Sequence, residues 1–386
     1  MRSVSIAGIG ITSFGVRTES VVRLGAEACR AAIEDAGVGP ERVEAFFLGN
    51  FASQAFTGQN HLAPSVAHAA GLGPVPCTRV EGACASGGLA VRQGALAVAS
   101  GAADIVLVAG VEKMTSAGSE RTAEILAAAG EFECEASLGA TFPALFALIS
   151  RRHMHEYGTT PEDLADVAVK NHAHGHFNPD AHFQKEITKE EALSAREVAT
   201  PLRLFDCAPI SDGAAAVLLC ASELAADLRP DPVRLLASAQ ASDSPALADK
   251  GDITRFRATV RAAEEAFQSA GIQPEEIDLA EVHDCFTIAE ILALEDIGFY
   301  RKGEGARGAS EGETALGGAM PVNTSGGLKA KGHPVGATGV AQICELVRQL
   351  RGEAGPRQVR GAEVGLAHNL GGSGATCAVH ILAAGG

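Results

Sequence analysis

Cys84 stands between the turn-forming Glu81-Gly82-Ala83 and Ser86-Gly87-Gly88, which open a helix of small residues over Leu89 to Ala99. A thiol at a helix N-terminus meets the positive end of the macrodipole and free backbone N–H groups. Both favour thiolate, the nucleophilic form of cysteine. A small residue buried in Ala/Gly packing accounts for the same local sequence, because free cysteine is often fully buried. His333 shifts the balance toward chemistry. It lies in Lys331-Gly332-His333-Pro334-Val335-Gly336-Ala337-Thr338-Gly339, at the start of a second helix, and an imidazole in reach of a thiol can take its proton.

Two further segments carry reactive residue types. Glu281-Val282-His283-Asp284-Cys285-Phe286 falls where a strand should end, the place where open α/β layers build their sites. His283 offers a hydrogen-bond donor there and Cys285 a titratable thiol. The competing reading is a satisfied turn, with Asp284 capping a helix over Thr287 to Ile297. A metal site lacks the usual cysteine pairing. The glycines of Ala367-His368-Asn369-Leu370-Gly371-Gly372-Ser373-Gly374 let the backbone approach a ligand and aim N–H groups at an oxyanion, or they simply turn the chain after a buried strand.

Weaker signals lie elsewhere. Asn171-His172-Ala173-His174-Gly175-His176, with His182, invites a metal, but alternate histidines share a face only on a strand. Nearby Gly and Pro predict a loop with a solvated basic surface. Gly8-Ile9-Gly10 lacks the third glycine of a dinucleotide loop, Ser13 standing in its place, and reads as a strand-to-helix turn.

The elements that must position these groups alternate between strand and helix from the start. Val4–Ile6 is a short strand, Val21–Ala36 a helix ending at Gly37, Ala45–Leu48 a strand, and Asp104–Ala109 a buried strand. The second half repeats the first. Ala36–Glu44 lines up with Ala270–Asp278, Cys84–Gly87 with His333–Gly336, and Ala103–Gly110 with Ala362–Asn369. The order is kept while the offset grows, as loop insertions produce, which predicts a duplicated α/β unit. A pseudo-twofold between the halves would bring the helix starts at Cys84 and His333 together. Residues 116–199 break the pattern and read as an inserted subdomain. The domains are therefore 1–115 with 200–230, the insert 116–199, and 231–386.

Composition narrows the function. The net charge of −16 opposes a phosphate backbone, so nucleic-acid binding is not expected. No apolar run has the length of a membrane span, Leu138–Ile149 being short and broken by Pro143. The N-terminus reads as a strand and not as a signal peptide. Nine scattered cysteines make no disulfide framework, which predicts a reducing, cytoplasmic setting. Of 386 residues 45 are glycine, about 12% against about 7% in ordinary proteins, so close backbone approaches should matter.

Together, Cys84-Ala85-Ser86, His283-Asp284-Cys285-Phe286, Gly332-His333-Pro334 and His368-Asn369-Leu370-Gly371-Gly372 resemble the thiolase family over essentially the whole chain. They are most similar to the sterol-carrier-protein-type and archaeal-type branch, and Tyr157–Pro161 in the insert shares the likeness. The resemblance implies two α/β halves in a five-layer αβαβα arrangement, with the insert over the site. It implies lipid-metabolic acyl transfer on coenzyme A thioesters, reversibly, by thiolysis or Claisen condensation of 3-oxoacyl-CoA and acetyl-CoA. Cys84 would be the nucleophile and His333 its activator. His283 would position a water on the thioester enolate, and Cys285 would move the proton to or from carbon. Backbone N–H groups of Cys84 and Gly372 would form a second oxyanion hole. The larger thiolase branch instead carries its second catalytic cysteine in the C-terminal glycine loop and has Asn-Glu-Ala-Phe where this chain has His283–Phe286. Coenzyme A is a co-substrate, and no metal or tightly bound cofactor is expected. Arg151, Arg152 and Lys170 are candidates to meet the CoA nucleotide. A homodimer or homotetramer is implied, with a hydroxymethylglutaryl-CoA synthase and a small channelling protein as conceivable partners. The alternatives are another condensing enzyme of the superfamily, or a non-catalytic acyl-CoA-binding scaffold.

Overall fold

The computed structural model describes residues 2–385. Its strands are β1 (Val4–Ile11), β2 (Ala45–Gly49), β3 (Cys77–Val80), β4 (Ile105–Glu112), β5 (Glu197–Ala199), β6 (Leu202–Arg203), β7 (Gly213–Ala221), β8 (Val233–Ser242), β9 (Leu279–Glu281), β10 (Val364–Gly371) and β11 (Thr376–Ala383). Strands β5 and β6 form a small hairpin; the other nine make one sheet in the order β3-β2-β4-β7-β1-β8-β11-β10-β9.

The sheet is two copies of one design joined edge to edge. In the first half β2 runs parallel to β3 and β4, while β7 runs antiparallel to β4 and β1. In the second half β9 runs parallel to β10, and β11 runs antiparallel to β10 and β8. A parallel bridge from Ala280 to Val322 stands where β3 stands in the first copy. The copies meet where β1 and β8 pair antiparallel, Val4 opposite Leu235 and Ile6 opposite Val233. The duplication expected from the motif alignment is present in strand order and strand direction.

Helices form the other layers. Val21–Asp35 and Leu62–Ala70 cover the outer face of the first half, and Arg257–Ala270 covers that of the second, with Thr287–Ile297 packed against it. Ser86–Ser100 and Thr338–Leu350 lie against each other between the two half-sheets. Val91, Val98, Val340 and Ile343 are fully buried there, in one core with Val106, Val217 and Leu382 from the strands. The five-layer α/β arrangement thus follows from strands that are apolar on both faces, which need a helix layer on each side. Between β4 and β7 the chain leaves the sheet for the helices Ser119–Ala127, Phe142–Tyr157, Pro161–His176 and Lys189–Ser194.

Two expectations change. β1 is eight residues long, so Gly8-Ile9-Gly10 lies inside a central strand and not in a turn. The reason is clearance: a Cβ at Gly10 would sit 2.2 Å from the Ala28 carbonyl oxygen, and one at Gly8 2.1 Å from that of Ala32. These glycines let the Val21–Asp35 helix press onto the strand. The His-rich stretch is not a loop either. Thr160 and Asp163 form a capping box with Pro161 in the first turn, and the helix runs to His176.

Gly10→Ala should cost at least about 1–3 kcal/mol, the range for forcing atoms into a packed core. Denaturant unfolding tests this; an unchanged midpoint would show that the helix can stand off the strand.

Candidate active site

After β3 the chain turns sharply into the Ser86–Ser100 helix. Ala83 takes a left-handed backbone, φ 53°, a strain on the order of 1–3 kcal/mol for a residue with a side chain. Ser86 braces the turn: its hydroxyl accepts from the Gly82 N–H at 3.0 Å and donates to the Ala83 carbonyl at 2.6 Å. Cys84 follows, half-buried. The Thr338–Leu350 helix begins alongside. A Cβ at Gly339 would lie 2.2 Å from both the Gly88 nitrogen and Asn369 Oδ1, so the two helix starts can touch only because this residue has no side chain.

Their meeting gathers the predicted residues. Cys84 Sγ and one ring nitrogen each from His283 and His333 lie within 4.8 Å of one another. The two rings are nearly perpendicular, 85° apart with centroids at 5.1 Å. The Thr338 hydroxyl donates to the Pro334 carbonyl at 3.1 Å and lies 2.6 Å from His333 Nδ1. Its one proton is committed, so it accepts from Nδ1–H, and His333 Nε2 is left as a lone-pair acceptor. Cys84, Cys285, His333 and Gly372 line one cavity of about 220 Å³, walled by Met114, Leu126, Phe142, Phe146 and Phe286. Such apolar walls suit an acyl chain beside a few polar groups that fix its reacting end.

Residues 4–223 match the thiolase N-terminal domain, and residues 239–384 match the thiolase C-terminal domain-like family. The chain belongs to the thiolase family. It is 54% identical over 382 residues to an acetyl-CoA acetyltransferase of Methanothermobacter thermautotrophicus, covering 99% of both chains. It is 36% identical to sterol carrier protein 2 of Gallus gallus, covering 97% of this chain and 70% of that one. Among solved structures, an Ltp2-ChsH2(DUF35) aldolase superposes with a TM-score of 0.87 at 30% identity, over 99% of this chain and 98% of the other.

In this thiolase burial opposes the pull of the helix terminus on Cys84. Burial pushes the Cys84 thiol up to about 12, against the pull of the Gly372 and Cys84 N–H groups. Burial, then Lys331, lowers His333 to about 3. A helix N-terminus lowers a thiol's pKa only modestly, and the apolar cavity outweighs it. The pair is therefore a neutral thiol beside a neutral imidazole. Cys285 lies well above its ordinary range, chiefly through burial and then through the nearby Cys84.

Other expectations need correcting. Lys170 is buried, donates to the Val322 carbonyl at 2.9 Å and pairs with Glu290 at 2.8 Å, so it presents no charge to a nucleotide. Arg151 and Arg152, by contrast, are exposed, as a contact with a nucleotide requires, and Arg152 pairs with Glu156. His172 and His174 are buried, bonded to the carbonyls of Lys185 and Asn323, where they pin neighbouring chain to the helix and form no solvated basic surface. Asp284 does not cap Thr287–Ile297. It accepts from the Leu328 and Lys329 N–H groups at 2.6 and 3.2 Å, anchoring the segment that leads to His333.

Sequence reading passed over Glu112. Fully buried at the end of β4, it accepts from Asn50 Nδ2 and from the N–H groups of Phe51, Ala52 and Gly336. It ties the first half's loop to the one bearing His333. The signal was a lone carboxylate ending an apolar strand, which had no partner in sequence.

His380 is buried against this site, its Nε2–H donating to the Gly88 carbonyl at 3.1 Å. Burial lowers it to about 4. Below about 6.5 the unfolded chain binds a proton that the fold refuses, so the folded state loses stability as pH falls. His380→Gln keeps an N–H and removes the titration. Its stability relative to wild type should therefore rise by about 1 kcal/mol between pH 6.5 and pH 5.5, read from urea unfolding at those two pH values. A pH-independent difference would show that His380 titrates normally in the fold.

Proposed function

We propose that this thiolase cleaves 3-oxoacyl-CoA with coenzyme A, and runs the same steps backwards as a Claisen condensation of acetyl-CoA. The observation that carries this reading is Cys84 Sγ beside His333 and His283, from opposite halves of the chain, at an apolar cavity. In the first step the Cys84 sulfur bonds to the 3-oxo carbon while His333 Nε2 takes the thiol proton. The bond between C2 and C3 breaks, leaving the acyl group on Cys84 and an acetyl-CoA enolate. Protonated His333 and a water positioned by the N–H of His283 face the enolate oxygen, and Cys285 gives its proton to carbon. Coenzyme A then returns a proton to Cys285, and its thiolate takes the acyl group. Cys84 leaves as thiolate and recovers its proton from His333. Backbone N–H groups of Cys84 and Gly372 support the oxyanion on the acyl carbon. Covalent catalysis divides one hard carbon–carbon step into two easier ones.

The acetyl-CoA acetyltransferase relative supports short-chain substrates, with lipid-metabolic use as its extension. The DUF35 named with the solved aldolase supports a small partner protein. Homo-oligomerisation and a hydroxymethylglutaryl-CoA synthase partner rest on family resemblance. Among the described residues no helix is long and apolar enough to cross a membrane, which is compatible with action in the cytoplasm. The likeness to an aldolase gives a second reading, carbon–carbon cleavage without an acyl-enzyme; Cys84 in reach of a base favours the thiolase reading.

Incubation with acetoacetyl-CoA should add one acetyl group, on Cys84, by mass spectrometry. Cys84→Ala should lose both half-reactions. Cys285→Ala should still acylate, but exchange of acetyl-CoA methyl protons with deuterated solvent should fall by about 10²–10⁴-fold, the worth of a positioned acid/base. Cleavage without CoA and without an adduct would select the aldolase reading, and label on another cysteine would overturn the assignment.

A further inference from the structure

Asn369 lies on β10, fully buried, with each amide atom committed. Its Oδ1 accepts from the Gly88 N–H at 3.0 Å. Its Nδ2 donates to the Cys84 carbonyl at 2.9 Å and lies 3.2 Å from His283 Nδ1. A backbone N–H can only donate and a carbonyl can only accept, so the amide cannot be flipped. Nδ2 therefore donates its second proton to His283 Nδ1, and the His283 ring proton sits on Nε2. His333 has the opposite tautomer, fixed by Thr338. One ring offers a donor to the site and the other a lone pair.

This decides between two fates for the same three side chains. A thiol and two imidazole nitrogens within 4.8 Å are a ligand set for a soft or borderline divalent cation such as zinc, with the cavity as an open position. Zinc needs lone pairs from both rings. An oxyanion needs an N–H.

We propose that Asn369 is a positioning residue that holds His283 as the Nε2–H donor, and that this bond withholds His283 from metal coordination. The catalytic consequence rests on the function proposed above; the tautomer does not.

The test reads the ring directly. In protein labelled with 15N-histidine, the His283 signals, identified by their loss in His283→Gln, should show the proton on Nε2. An Nδ1–H form would overturn the proposal. Zn2+ alone, competed against a chromophoric chelator, should bind wild type and His283→Ala equally within about threefold. Asn369→Asp, whose carboxylate accepts from Nδ1–H, should bind zinc about 10–100-fold more tightly, the usual worth of a group orienting a metal-ligating ring. Asn369→Asp/His283→Ala should lose that gain. Wild type losing tenfold in zinc affinity on His283→Ala, or a folded Asn369→Asp with no gain, would contradict the proposal. If Asn369→Asp fails to fold, the spectrum and the wild-type pair still decide. In the folded variant kcat should fall about 10–100-fold with KM little changed. An Nε2–H spectrum in a protein without thiolysis would sink the functional reading and leave the tautomer assignment standing.

Discussion

The touching of two helix starts is the constraint on which the site depends. Ser86–Ser100 and Thr338–Leu350 belong to different copies of the duplicated unit, yet they lie against each other between the half-sheets. With no Cβ at Gly339, Gly88 keeps its bond to Asn369, and the backbone at Cys84 is fastened to the second half. Glu112 adds a second fastening, from the end of β4 to the loop of His333. Sulfur and imidazole are thus held beside the starts of two helices packed against each other, as a reaction needing sub-ångström placement requires.

Burial that tight has an electrostatic consequence. An ion pair in this cavity would lose its hydration with few groups to replace it, so the resting pair is neutral. In the proposed reaction charge develops only as the sulfur bonds to carbon, and the backbone N–H groups of Gly372 and Cys84 already lie against that sulfur. Donors fixed before reaction need no reorganisation when charge develops. The apolar walls that raise the thiols also hold water away from an acyl thioester that it could hydrolyse.

Much of this was legible in the chain. The duplication showed because helix-ending glycines and site motifs recur in order; Cys84 and His333 stood out in glycine-flanked turns, and His283 and Cys285 where a strand ends. Less legible was anything whose partner is distant in sequence. Lys170 and the histidines near it look like a basic surface until Glu290 and the carbonyls of Val322, Lys185 and Asn323 fold onto them. Gly8 and Gly10 resemble a ligand loop because glycine in a strand and glycine in a turn look alike until the neighbouring helix is in place. The burial that opposes thiolate at Cys84 is hidden for a similar reason: the helix terminus is local and visible, whereas the cavity walls come from several separate stretches.

The most direct measurement is a rapid-mixing experiment with acetoacetyl-CoA and no free CoA. The account predicts a burst of one acetyl-CoA per site, with His333→Asn slowing the burst by about 10²–10⁴-fold and leaving its amplitude intact. A missing burst in wild type, or an unslowed burst in the variant, would contradict the claim that His333 takes the proton of Cys84 as the thioester forms.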